Sequence, residues 1–139
     1  MTYKSELVLI RGLPGSGKST MARAMTGFVH LEADMHMMIN GVYQYDASKV
    51  ADSHTQCKVQ VREALAAGHS VVVSNTFSRA FEMGDYLAIA RGLGVSARVI
   101  EATGRWKNVH GVPEDRIEQM RRRWENVALN SSGALVSAG

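Results

Sequence analysis

Cysteine is nearly absent: Cys57 stands alone, which excludes an intrachain disulfide and any multi-cysteine metal site and fits a reducing cytosol. Proline is almost as scarce, with two residues, so no proline-rich linker or disordered stretch is expected away from the ends. No apolar run approaches the ~18 residues of a membrane span, and the start lacks the apolar core of a signal peptide. A cytoplasmic location without membrane contact is the expectation. Neither sign of charge dominates: 16 basic residues against 13 acidic ones leave a formal charge of +3, a weak pull toward polyanions and no demonstration of nucleic-acid binding. What is present is ordinary soluble composition, 45% apolar and 21% charged over 139 residues. That length suits one compact domain burying roughly two-thirds of its unfolded surface. No internal repeat or interdomain linker divides it.

The apolar run Leu7, Val8, Leu9 and Ile10 predicts a strand over Glu6–Arg11 buried on both faces, as in a parallel sheet. After a glycine-rich turn, Ser19–Met25 reads as a helix. A short strand at Val29–Glu32 leads into a polar, Met-rich stretch over Ala33–Asn40, and Gly41–Tyr45 reads as a loop. From Asp46, Ala47, Val50, Ala51, His54, Cys57, Val61, Ala64 and Leu65 recur at helical steps, with Gly68 as the natural C-cap. His69–Ser74 is a second central strand. A helix over Phe81–Leu93 and a strand over Val95–Glu101 follow. Pro113, Glu114 and Asp115 suit the first turn of a last helix, with Ile117, Met120, Trp124 and Val127 as its buried stripe. The βα repetition predicts an α/β, three-layer sandwich: a small parallel sheet of four to five strands, helices on both faces and a short lid. Residues 1–129 form the expected domain and 130–139 a loosely held tail.

Gly12-Leu-Pro-Gly-Ser-Gly-Lys-Ser-Thr20 satisfies the GxxxxGK[ST] pattern, and it sits between a buried strand and a helix, as a phosphate-binding loop requires. Gly12, Pro14, Gly15, Ser16 and Gly17 would wrap backbone N–H groups around ATP phosphates, with GTP as the alternative nucleotide. Lys18 would reach the β- and γ-phosphates, Ser19 would ligate Mg²⁺, and Thr20 would support the α-phosphate.

Phosphoryl transfer then needs an aligned acceptor, charge neutralisation and a group to take the acceptor's proton. Asp34 follows the second strand at the carboxyl edge of the sheet, where open α/β sheets bind ligands, and is the candidate base; a helix N-cap is its structural alternative. At the end of the next strand, where P-loop enzymes often carry a metal-organising acid, there is none. Ser74, Asn75 and Thr76 could orient water or hold an acceptor, or simply form a turn. Phe77 and Arg79 follow, a ring that could stack on a base or pack in the core, and a cation that could meet a phosphate. Ala102–Val112 has no clear period and lies where nucleotide kinases carry a lid, with Arg105 and Lys107 as its candidate cations. His54 and Cys57 share an apolar stripe without a third ligand nearby, which favours packing over metal.

With Gly12–Thr20, Asp34, Ser74-Asn-Thr76 and Asn108-Val-His-Gly-Val-Pro113 in order, the chain resembles the polynucleotide-kinase-like P-loop kinases. Within them it is most similar to small ATP-binding proteins, often phage-encoded, with an AAA_33-type domain. Leu31-Glu-Ala-Asp-Met35, Gly41-Val-Tyr-Gln-Tyr-Asp46, Ser53-His-Thr-Gln-Cys57 and Glu82-Met-Gly-Asp-Tyr86 support the likeness, which runs from about Leu7 to Val127. The resemblance implies transfer of the ATP γ-phosphate to a hydroxyl, with Asp34 as general base and Lys18 as transition-state cation. The phage 5′-kinases place an arginine a few residues after the base, whereas Met35, His36, Met37 and Met38 stand here. Lys107 stands where relatives place an arginine. The acceptor expected is a nucleic acid, through a 5′-hydroxyl or the hydroxymethyl group of 5-hydroxymethyluracil in DNA. A nucleoside or small-metabolite kinase, and a nucleotide-binding switch without acceptor, are the alternatives. The oligomeric state is left open.

Overall fold

The computed structural model describes residues 5–13, 15–32, 38–39, 42–43, 50–104, 114–129 and 135–137. Its centre is the run of apolar side chains at the start of the chain. Strand β1 (Glu6–Arg11) has Leu7, Val8, Leu9 and Ile10 all fully buried, and a strand apolar on both faces needs cover on both. Helix α1 (Lys18–Arg23) follows the loop, and β2 (Phe28–Leu31) follows α1. Next come two short strands, β3 (Met38–Ile39) and β4 (Val42–Tyr43), and then α2 (Val50–Ala66), β5 (Ser70–Asn75), α3 (Ala80–Gly92) and β6 (Ser96–Glu101). The chain continues through α4 (Glu114–Arg122), β7 (Val127–Leu129) and β8 (Leu135–Ser137).

The main sheet has four strands in the order β2-β5-β1-β6, every pair parallel. Alternation along β1 and β5 divides the core. Leu7, Leu9, Val71 and Val73 face Cys57, Val61 and Leu65 of α2 and Met83, Tyr86 and Ala90 of α3. Val8, Ile10 and Val72 face Ala22 of α1, with Ala102, Met25 and Phe28 beside them. This is the three-layer α/β arrangement expected. Each fully buried aliphatic side chain contributes about 1.5–3 kcal/mol, so the sheet centre is the most strongly held part of the molecule. Gly68, with φ of 93°, closes α2 as expected, the Gly68 and His69 amides donating to Leu65 and Ala64 at 3.0 Å.

Parallel pairing has a functional consequence, because it collects every strand's carboxyl end on one edge. Arg11 pairs with both Asn75 and Glu101 in register, and Leu31 lies beside Val73 on the other side of β5. The carboxyl ends of β1, β2, β5 and β6 therefore lie side by side.

Four expectations need correction. The first helix ends at Arg23 rather than Met25, tightening into a turn in which the Met25 amide donates to Ala22 at 3.1 Å. Within Gly41–Tyr45, Val42–Tyr43 forms a strand paired antiparallel with Met38–Ile39 instead of a loop. The last helix stops at Arg122, leaving Trp124 beyond it and Val127 in a strand. The tail is not loose throughout, since Leu135–Ser137 pairs antiparallel with β7. Trp124, past the helix end, sets its ring 4.0 Å from the Arg11 guanidinium.

Candidate functional site

The loop after β1 is stitched to its neighbours by backbone bonds. The Gly12 amide donates to the Thr76 carbonyl at 3.2 Å, Ala102 donates to Arg11 at 2.7 Å, and Gly104 donates to Ser16 at 3.0 Å. The segments following β5 and β6 thus brace it from both sides. Gly12 is required here: a Cβ would lie 2.2 Å from the Ser16 hydroxyl and 3.0 Å from the Ala102 carbonyl. Gly15 and Gly17 have φ of 84° and 91°, left-handed angles that cost a side-chain-bearing residue about 1–2 kcal/mol each. Such alternation turns successive amides inward into an anion-binding concavity. Lys18, 4% exposed, and Ser16 are buried against this loop, and Pro14 lies outside the described residues.

Beside the loop lies a polar cluster that the sequence reading did not identify. Glu32, immediately beyond β2 and 6% exposed, accepts the Ser19 hydroxyl, which lies 3.1 Å from both carboxylate oxygens. His30 Nε2 stands 3.1 Å from Glu32 Oε1 and 2.8 Å from the Ser74 hydroxyl. These contacts join α1, β2 and β5 beside the loop. The sequence signal for Glu32 is an acid immediately after the second strand, within the Leu31-Glu-Ala-Asp stretch.

Asn75 is buried at the end of β5, and Thr76 is tied to the loop through its carbonyl. Phe77 is a correction. It is 1% exposed, has φ of 48° and meets Tyr86 edge-on at 5.5 Å between centroids. The left-handed turn swings the ring into the core under α3, so it presents no face on which a base could stack. Arg79 is half-exposed, 3.8 Å from Glu125 and 5.8 Å from the Phe81 ring. Asp34, Arg105 and Lys107 lie outside the described residues. Cys57 is fully buried in the core, as the packing reading expected.

The segment after β5 is held by a second buried cluster. Arg11 Nε and Nη2 donate to the Phe77 carbonyl at 3.0 and 2.7 Å, and Nη2 also reaches Ser78 at 3.3 Å. Its guanidinium lies 4.0 Å from the Trp124 ring centroid. Glu125 donates its amide to Ser78 and accepts from Ala80, both at 2.7 Å. These bonds explain why the chain abandons the helix after Arg122. Burial pushes the Arg11 pKa down, opposed by the charges of Glu101, Glu82 and Glu125.

A family model described as an AAA domain, AAA_33, matches residues 7–110, and the chain belongs to that family. Human NEDD4-binding protein 2 is 32% identical over 133 aligned positions, in a match that covers 86% of this chain and 8% of that protein. Among solved structures, a chain of the Pnkp1/Rnl/Hen1 RNA repair complex matches with a TM-score of 0.65 at 18% identity. That match covers 88% of this chain and 45% of the other. Kti12 from Chaetomium thermophilum, in complex with ADP-AlF3, gives 0.63 at 17% identity and covers 86% and 80%. The Mycobacterium tuberculosis APS kinase CysC gives 0.56 at 18% identity and covers 87% and 95%. The fold is that of P-loop kinases. No described helix is long and apolar enough to cross a membrane.

Proposed function

We propose that this AAA_33-family chain is an ATP-dependent kinase transferring the γ-phosphate to a hydroxyl on nucleic acid. The observation that carries the reading is the loop itself: Gly15 and Gly17 at left-handed angles, Lys18 buried behind them, and Ser19 hydrogen-bonded to a carboxylate, all beside the carboxyl edge of a parallel sheet. A preorganised cradle of N–H groups with one lysine stabilises charge on a transferring phosphoryl group. The hydroxyl of Ser19 is a hard oxygen donor, and hard oxygen donors suit Mg²⁺, which is commonly held by few protein groups together with phosphates and water. In this reading Ser19 holds the metal, which neutralises phosphate charge when bound.

Asp34 would accept the proton of the attacking hydroxyl. Asn75 and Thr76, anchored beside the loop, would orient the acceptor or water, Arg79 would meet an acceptor phosphate, and Arg105 and Lys107 would close over the donor. Support for a nucleic-acid acceptor comes from the likeness to a chain of an RNA repair complex. The acceptor could be a 5′-hydroxyl or the hydroxymethyl group of 5-hydroxymethyluracil. A small-metabolite kinase is the second reading, favoured by the APS kinase match, which spans 95% of that chain.

The test is transfer of labelled γ-phosphate from ATP to 5′-hydroxyl DNA, 5′-hydroxyl RNA, hydroxymethyluracil duplex and free nucleosides. Label on a polymer, reduced by about 10²–10⁴-fold in Asp34→Asn as expected for loss of a general base, is the expected result. Label on nucleosides alone would overturn the nucleic-acid reading. Unchanged transfer in Asp34→Asn would overturn Asp34 as the base.

A further inference from the structure

We propose that Glu32 is the acid that organises the metal site, acting through Ser19 and filling from β2 the role that the end of β5 leaves without a carboxylate. The inference rests on reading the loop as a nucleotide site and adds the residue that prepares Ser19 for a cation.

The argument begins with hydroxyl chemistry. A serine hydroxyl has one proton and two lone pairs. Here the proton is committed to Glu32, whose two oxygens both lie 3.1 Å from Ser19 Oγ. With the O–H directed at the carboxylate, the lone pairs face away from it, the orientation needed to coordinate a cation. The buried negative charge also polarises the O–H bond, making the oxygen a better donor to a cation.

Glu32 is itself held in place. His30 Nε2 lies within hydrogen-bonding distance of both Glu32 Oε1 and Ser74 Oγ. An unprotonated Nε2 would set its lone pair against the carboxylate, so the consistent tautomer carries the proton on Nε2 and shares it between the two oxygens. One nitrogen therefore spans Glu32 and Ser74. Positions 32 and 74 converge on the same small volume, although 42 residues separate them along the sequence. Ser74, fully buried at the end of β5, occupies the strand-end site and brings no charge, while Glu32 supplies charge to the same place from the adjoining strand.

The experiment measures binding of AMPPNP to the full chain in EDTA and in Mg²⁺, and takes the ratio of the two dissociation constants as the metal-dependent gain. No acceptor is present, so the identity of the phosphorylated substrate does not enter. Glu32→Gln, close in size but uncharged, should lower the gain by about 10–100-fold, the usual effect of losing a group that orients a metal ligand. Its affinity in EDTA should be unchanged. In Ser19→Ala/Glu32→Gln the gain should fall no further than in Ser19→Ala alone, because both substitutions interrupt one route. An undiminished gain in Glu32→Gln would overturn the proposal, as would additive losses in the double variant. An equal loss of affinity in EDTA would do so too, reducing Glu32 to a support of the loop. Failure of the unsubstituted chain to bind AMPPNP in either condition would refute the nucleotide site itself, a result distinct from the other three.

Discussion

Replacing Arg11 by alanine tests whether the buried cluster behind the loop holds it in shape. Arg11 is 1% exposed, and its guanidinium makes contacts at 3.0, 2.7 and 3.3 Å to two backbone carbonyls and lies 4.0 Å from the Trp124 ring. Hydrogen bonds from a charged donor contribute about 1.5–3 kcal/mol net, and a desolvated cation–π contact contributes about 2 kcal/mol. Opposing them is the cost of dehydrating the cation, visible in the depression of its pKa by burial despite Glu101, Glu82 and Glu125. Truncation recovers that cost but leaves the Phe77 and Ser78 carbonyls without this donor. It also removes the bonds on the carbonyl of Phe77, a non-glycine residue at φ of 48°, where left-handed geometry is itself unfavourable by about 1–2 kcal/mol. The net loss should be about 3–5 kcal/mol. For a chain of this length, 1 kcal/mol corresponds to roughly 3–4 °C, so the melting temperature should fall by about 10–20 °C. Arg98 provides the internal control. It also donates twice to one carboxylate, Glu6, at 3.2 and 2.8 Å, but it is 55% exposed, and Arg98→Ala should cost less than about 1 kcal/mol. Thermal and urea unfolding of both variants decide the matter. A shift below about 3 °C for Arg11→Ala, or equal shifts for the two, would refute the reasoning.

Two further outcomes follow from the same core. Phe77→Ala should destabilise the fold by about 3–5 kcal/mol, as removal of a buried aromatic ring does; unchanged stability with a raised KM for a nucleic-acid acceptor would instead restore the ring to the substrate site. The second outcome is alkaline sensitivity. Burial, reinforced by Cys57, raises the Tyr86 hydroxyl above its usual 10.0, so above pH ~10 the unfolded chain releases this proton while the folded chain retains it. Fewer protons bound in the unfolded state make stability fall with rising pH, by at most about 1.4 kcal/mol per unit from this group. Urea titrations between pH 8 and 11 should therefore show a shallower decline in Tyr86→Phe than in the unsubstituted chain, and parallel declines would contradict the assignment.

The centre of the sheet could be read from the sequence because β1 and β5 are buried on both faces. Leu7–Ile10 and Val71–Val73 are uninterrupted apolar runs, and each is followed by a turn whose residues have no other ready explanation. The glycine-rich loop was legible for the same reason: its glycines mark backbone angles, and those are local. The short antiparallel pairs were not legible. Two residues in β3 and β4, or three in β7 and β8, are too few to establish an alternation, and their pairing is decided by what they meet. Trp124 fits the helical period by spacing, yet Arg11, more than 100 positions earlier, draws it out of the helix. Phe77 illustrates the converse. An aromatic residue just past a strand looks available to a ligand until the sign of its φ angle is known, and no sequence pattern signals a left-handed phenylalanine.

Glu32 is hard to read from the sequence for a different physical reason. The end of β5 is where P-loop enzymes often carry a metal-organising acid, and Ser74 offers only a hydroxyl there. In a parallel sheet, however, the carboxyl ends of adjoining strands lie roughly 5 Å apart, close enough for a side chain from one to occupy the site above its neighbour. What the chemistry requires is negative charge beside the Ser19 hydroxyl, and either strand can furnish it. His30 bonds both Glu32 and Ser74, so it fixes the acid's position through β5 even though the acid belongs to β2. In a sheet of this kind, an acid on the adjoining strand can therefore serve an uncharged strand end.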